Sequence, residues 1–129
     1  VDNLLLKNID VLKEIIKLGK EITLLRETKD NERINKENLY KSRKKQEDLA
    51  KYLDNQEIEV LKEIMTIMYI GIDKDYDIDD SPNEIFNMEK MFLDSQGWPE
   101  KEILIYTISN KSLLDEFLID GLKALNIEI

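Results

Sequence analysis

The chain has no histidine and no cysteine in 129 residues. Histidine is the only side chain whose unperturbed pKa lies near neutrality, and with cysteine it supplies most nucleophile–base pairs and nearly all structural zinc sites. Their joint absence leaves carboxylates, lysines, hydroxyls and backbone for any chemistry. Glycine is also scarce, with 4 isolated copies, so no phosphate-cradling glycine loop exists. No apolar run approaches a membrane span, and the longest, such as Leu4-Leu5-Leu6 and Ile103-Leu104-Ile105, are very short. No basic region followed by an apolar stretch opens the chain, so no secretory signal is seen and a cytoplasmic location is expected.

What is present suits one domain that buries a core without disulfides or a structural metal: hydrophobic residues make up 42% and charged residues 36%. The charge is unevenly placed. Residues 1–53 carry 13 basic and 10 acidic side chains, a net of +3, and residues 54–129 carry 6 and 18, a net of −12. So acidic a C-terminal part repels nucleic acid and anionic lipid, and neither is an expected direct partner. The exception is Lys41-Ser42-Arg43-Lys44-Lys45, a basic cluster that reads as a solvated helix face or as a docking patch for an acidic surface.

Apolar residues recur at helical spacing almost throughout, and strand-like alternation is nearly absent. Ile9, Leu12, Ile15, Ile16, Ile22 and Leu25 form one stripe, interrupted by Gly19, which weakens a helix by about 1 kcal/mol unless a neighbour packs closely there. Residues 28–48 hold only Ile34, Leu39 and Tyr40 as apolar groups, which predicts a charged, projecting segment within a helical hairpin of about 9–28 and 33–53. Asp54 and Glu57 have the form of a capping box opening a helix lined by Ile58, Leu61, Ile64, Met65, Met68 and Tyr69, with Gly71 placed to end it. Ser81-Pro82-Asn83-Glu84 starts the next, carrying Ile85, Phe86, Met88, Phe92 and Leu93, with Gly97 as its stop. Pro99 begins a helix with Ile103, Leu104, Tyr106 and Ile108, and Ser112 or Asn110 caps a last one through Leu125. The expected fold is all-α, a bundle of about five helices in a single domain, with a hairpin over 1–53 packed on an acidic helical core over 54–129.

From residue 54 to 125 the order of features resembles a bacterial family of small helical proteins, the domain of unknown function 3775. The stretches that carry the likeness run from Glu57 to Gly71 and from Ile108 to Leu122. The first is similar to the family's acidic, Leu- and Met-containing helix ending at glycine. The second is similar to its turn followed by a Leu-Leu-x-x-aromatic-Leu helix ending near Gly-Leu. Ile72 stands where the family usually has Arg, and Ser112 where it usually has Pro. The resemblance implies an all-helical fold and no activity.

Several constellations invite a function. From Asp73 to Glu84, the residues Asp73, Asp75, Asp77, Asp79, Ser81 and Glu84 occupy the calcium-ligand positions of an EF-hand loop. Ile78 replaces the glycine that such a loop needs for its sharp turn, and Pro82 fixes the backbone where the exit helix should be forming. Ser81 and Glu84 read more simply as a helix start. Calcium or magnesium held loosely by Asp73, Asp75, Asp77, Asp79 and Glu84 is the remaining metal reading; no other cofactor is expected. Glu59 and Glu63, one turn apart, read as surface charge. Trp98 reads as a plug in the bundle or an anchor for a partner. Met65, Met68, Met88 and Met91 read as core fillers, with an adaptable binding groove as the alternative.

The loss of catalytic residue types and the unequal halves point to a non-catalytic protein–protein interaction module of bacterial or phage origin, either a homodimer or part of a hetero-complex. Lys41, Arg43, Lys44, Lys45, Asp80 and Trp98 are its candidate contact residues. One alternative is a small inhibitor whose Asp73, Asp75, Asp77, Asp79 and Asp80 stand in for phosphates on a nucleic-acid-binding enzyme. A second is a divalent-cation-binding protein using the 73–84 loop.

Overall fold

The computed structural model describes residues 7–27, 33 and 35–129. Among them run six helices and no strand: α1 (Ile9–Arg26), α2 (Lys36–Asp54), α3 (Ile58–Asp73), α4 (Pro82–Gln96), α5 (Lys101–Ser109) and α6 (Leu114–Ala124). The all-α expectation holds, with six helices where about five were expected. Leu4-Leu5-Leu6 and Ile34 lie outside the described residues.

The architecture is built around α3. The spacing of its apolar residues predicts one buried face, yet Val60, Ile67, Ile70, Thr66 and Glu63 are buried as well as Leu61, Ile64, Met65 and Met68. A helix buried on most sides must be surrounded, and α4, α5 and α6 all pack on it. The α1–α2 hairpin joins the assembly through α1 on α6 and α2 on α5. One continuous apolar core results, from Leu12 and Ile15 through Leu49 and Leu53 to Phe86, Leu104, Leu118 and Leu125.

Gly71 lies inside α3 rather than at its end, which corrects the expectation of a glycine stop. A Cβ there would fall inside the Phe117 carbonyl, and one on Gly121 would fall inside the Ile67 carbonyl. Each glycine therefore admits the other helix's backbone, and the pairing of 71 with 117 and 67 with 121 shows that α3 and α6 run antiparallel. The helix ends instead at Lys74, whose backbone turns left-handed (φ 50) while its N–H reaches the Ile70 carbonyl at 3.1 Å. Gly19 has a related role: a Cβ would stand 3.2 Å from the Asp115 backbone nitrogen, so α1 closes onto the start of α6.

Helix starts were the least legible feature. Asp54 is the last residue of α2, and α3 is preceded by Glu57 without a side-chain cap; the Asp54–Glu57 capping box does not form. Neither Ser112 nor Asn110 caps α6. Leu113 does so in a left-handed conformation (φ 58), and Asn110 ends α5. The Ser81 cap is present: its hydroxyl accepts the Glu84 backbone N–H at 3.2 Å, with Pro82 at the first helical position. Gly97, at φ +84, ends α4 as expected. Past α6, Asn126 turns left-handed, and hydrogen bonds from Asn126 to Lys123 (3.0 Å) and from Ile127 to Leu122 (2.9 Å) close a Schellman motif.

Candidate functional site

Two surfaces take up the residues singled out in the sequence. The first forms where the α3–α4 loop meets α4. Ile85 and Phe86 turn inward and anchor α4 on α3, which rotates the rest of its apolar residues outward. Met88, Met91 and Phe92 are 65%, 70% and 54% exposed, and Ile78 in the loop is 97% exposed. Met65 and Met68 are core fillers as expected; Met88 and Met91 are not, and the stripe of Ile85, Met88 and Phe92 does not face inward as a unit. Between loop and helix lies a depression of about 270 Å³ floored by Ile70, Ile85, Met88 and Phe92 and edged by Asp73, Asp75, Tyr76, Asp80 and Glu89.

Residues 73–94 contain eight acids and two lysines, a net of −6. Their carboxylates do different things. Asp73 ends α3 beside Glu89, a residue the sequence reading passed over. Glu89's carboxyl is raised above the usual range, first by partial burial, then by the Asp73 charge and a hydrogen bond with Asp73, and then by Asp75. Asp80 accepts the Asp77 backbone N–H at 2.9 Å, and its own N–H returns to the Asp77 carbonyl at 3.0 Å, so these two residues form a local turn. Glu84 is engaged by Ser81 (Oγ to Oε1, 3.1 Å) and Asp79 is exposed. Of the candidate metal ligands the structure thus gathers Asp73 and Asp75 near Glu89, while Asp77, Asp79 and Glu84 serve the turn and the cap or face water. Among the described residues no three acidic side chains are grouped closely enough to hold a metal ion.

Trp98 is half-buried against the core at the foot of α4. Its indole N–H donates to Asp94 at 2.6 Å, and the Lys62 ammonium lies 5.6 Å from the ring centroid. That hydrogen bond, helped by the Lys90 charge, holds the Asp94 carboxyl below its ordinary range. Its body packs on the core and its edge remains near solvent.

The second surface is the basic cluster on α2. From Ser42 onward this helix packs on α1 rather than projecting: Arg26, the last residue of α1, reaches Ser42 and Gln46, and Ser42 is fully buried. Residues 28–32 of the charged segment lie outside the described residues. Lys41 pairs with Glu37 (3.1 Å) on its own helix and Lys45 with Glu21 (2.9 Å) on α1, whereas Arg43 and Lys44 are exposed. Ser42 and Lys45 have the spacing of a serine–lysine dyad, but the Ser42 hydroxyl donates to the Leu39 carbonyl at 2.8 Å and accepts from Arg26 Nε at 3.1 Å. Lys45 is held in turn by Glu21.

Two buried carboxylates escaped the sequence reading. Glu63, expected at the surface, is 3% exposed and receives the Asn8 amide at 3.5 Å; Glu59, one turn earlier, is exposed as expected. Asp115, in the first turn of α6, is buried and accepts the Thr23 hydroxyl at 2.9 Å. No pattern in either neighbourhood distinguishes these acids from surface ones, because burial comes from helices distant in sequence.

No helix is long and apolar enough to cross a membrane among the described residues. No family model, curated protein or solved structure matches the chain. The likeness to the domain of unknown function 3775 therefore rests on the residues quoted for it.

Proposed function

We propose that this chain is a non-catalytic docking module that holds a basic, amphipathic segment of a partner protein against α4 and the loop before it. The observation that carries the reading is the exposure of Met88, Met91 and Phe92 together. They stand at i, i+3 and i+4, the spacing that presents one continuous stripe, and an exposed apolar stripe rimmed by polar groups marks an interaction site. Leaving such side chains in water forgoes about 1.5–3 kcal/mol each relative to burial. Unbranched methionines also suit a surface that must adapt to its partner.

Charge supports the partner's chemistry. The stretch 73–94 that carries the stripe has a net charge of −6, and Glu89's carboxyl is raised, first by partial burial and then by Asp73 and Asp75. A partner's lysine or arginine placed there relieves that repulsion, while its apolar residues cover the stripe, as when an amphipathic helix lies in a groove. A mimic of a phosphate backbone needs the carboxylates without the hydrophobic floor, so the floor favours the amphipathic partner. The exposed face of α2 in a second copy offers Arg43 and Lys44 but only Tyr40 as a large apolar group, too little to fill the depression; this favours a different protein.

A calorimetric titration tests the proposal. The probe is a helical peptide with leucine on one face and lysine on the other, compared with a scrambled peptide of the same composition. The ordered peptide should bind, and Met88→Ser with Phe92→Ser should weaken it by about tenfold or more, the loss of one or two anchors. Equal binding of the scrambled peptide, or equal affinity of the variant, would reduce the face to unspecific charge and end the proposal.

A further inference from the structure

A second cavity, sharing no residue with the docking face, opens where α1, α2, the end of α5 and the start of α6 meet. Its volume is about 180 Å³, below the roughly 300–1,000 Å³ of sites for drug-sized ligands. Its floor is apolar, with Ile22, Leu49 and Leu114, and Arg26, Lys111 and Ser112 stand on its wall.

Arg26 is the unusual member. Its guanidinium is half-buried, yet its contacts are both neutral: Nε donates to Ser42 Oγ at 3.1 Å and Nη2 to Gln46 Oε1 at 2.7 Å. Among the described residues it makes no ion pair. A charge withdrawn from water is normally matched by an opposite one. Of its five N–H donors two are engaged, which leaves three in a planar fork suited to a carboxylate.

Among the described residues, Ser42 and Gln46 hold this fork still and no carboxylate pairs with it. Ser42 is fully buried and tied to the Leu39 carbonyl. Gln46 spends its amide hydrogens on the Ser109 carbonyl (3.1 Å) and on Asn110 Oδ1 (3.3 Å). Donors are therefore in surplus at the wall, through Arg26, Lys111 and Ser112. Among the described residues two carboxylates are near. Glu27 lines the cavity too, but it is exposed and screened by water. Asp115 lies behind Thr23, whose hydroxyl it accepts, in the first turn of α6, where the helix dipole offsets its charge.

We infer that this cavity binds a small aliphatic monocarboxylate, its carboxylate on Arg26 and Lys111 and its hydrocarbon against Ile22, Leu49 and Leu114. The size of the space selects a short chain, and the fixed fork supplies bidentate recognition of the kind that makes arginine–carboxylate pairs strong.

Amide NMR titration with sodium butyrate tests this, with butyramide as the neutral twin and inorganic phosphate as the anion without a tail. Butyrate should give saturable shifts at Gly19, Thr23 and Leu114, and neither control should saturate them. Arg26→Gln should weaken butyrate by at least about tenfold. Because Arg26 also braces Ser42 and Gln46, Lys111→Gln provides a variant outside that network, expected to weaken binding several-fold with unchanged thermal stability. Butyramide binding as tightly as butyrate, phosphate saturating the same amides, no saturable shift, or unchanged affinity in a folded Lys111→Gln would each overturn the inference.

Discussion

Replacing Gly71 or Gly121 by alanine should destabilise the protein although both lie in helices, where alanine is ordinarily the better residue. Taken alone, the exchange favours the helix by about 1 kcal/mol. Against this stands the collision of each new Cβ with a backbone carbonyl of the facing helix, Phe117 or Ile67. Overpacking a core costs about 1–3 kcal/mol when side chains can shift. A carbonyl inside a helix cannot swing aside, so the two helices must separate and the upper end of that range applies. The net loss is about 2 kcal/mol per site, a fall in melting temperature of roughly 6–8 °C for a domain of this size. The double variant should lose less than the sum of the singles, since one separation of α3 from α6 accommodates both methyl groups. Gly97→Ala is the comparison without a clash: nothing lies within 4 Å of its Cβ, but φ +84 with ψ 133 is nearly closed to residues with a side chain, so it should lose about 1–3 kcal/mol through backbone strain alone. Thermal and urea unfolding followed by circular dichroism measure all four variants. A stabilised Gly71→Ala, or a strictly additive double variant, would refute the close α3–α6 approach on which the fold depends.

Three further outcomes follow from the polar contacts. Ser81→Ala removes the α4 cap and should cost about 1 kcal/mol, while Ser81→Asp should retain most of it; equal stability of the alanine variant would show that Pro82 alone starts the helix. Thr23→Val takes the hydroxyl from buried Asp115 and should cost about 1–3 kcal/mol, with Thr23→Ser near wild type; urea midpoints decide, and an unaffected valine variant contradicts the contact. Glu89 is raised above its ordinary 4.5, so its favourable contribution is complete below the unfolded value and is lost as pH rises through the higher folded value. Glu89→Gln should therefore flatten that part of the stability–pH curve and be the more stable form at neutral pH; an unchanged slope would mean that neither burial nor Asp73 and Asp75 raise it.

The parts of this structure that were legible in the sequence are those set by local chemistry. The 3.6-residue period marked α1 and α3, Ser81-Pro82 marked the start of α4, and Gly97 marked its end, because caps and periodicity act within a few residues. Partner geometry hid the rest. Gly71 looks like a helix stop until α6 is seen to need the space, and Gly19 looks like a defect until Asp115 is placed against it. Met88 and Met91 share the spacing of Met65 and Met68, yet α3 is surrounded on most sides while α4 is anchored only through Ile85 and Phe86. Glu63 and Glu59 differ by one turn and end on opposite sides of the boundary between core and water. The acidic loop was visible as a run of aspartates, but its apolar floor and the Asp73–Glu89 pairing arise from the return of α4 across the end of α3. The Arg26 fork has no local signature at all, since Ser42 and Gln46 come from the next helix.

The methionine methyl groups offer the most direct test of the docking face. The chain's four methionines divide into two buried reporters, Met65 and Met68, and two exposed ones, Met88 and Met91. In a carbon-labelled methyl NMR spectrum, titration with the leucine–lysine helical peptide should move Met88 and Met91 to a saturating end point and leave Met65 and Met68 where they were. Static Met88 and Met91 signals, or equal movement of all four, would contradict the proposal that α4 is a docking surface.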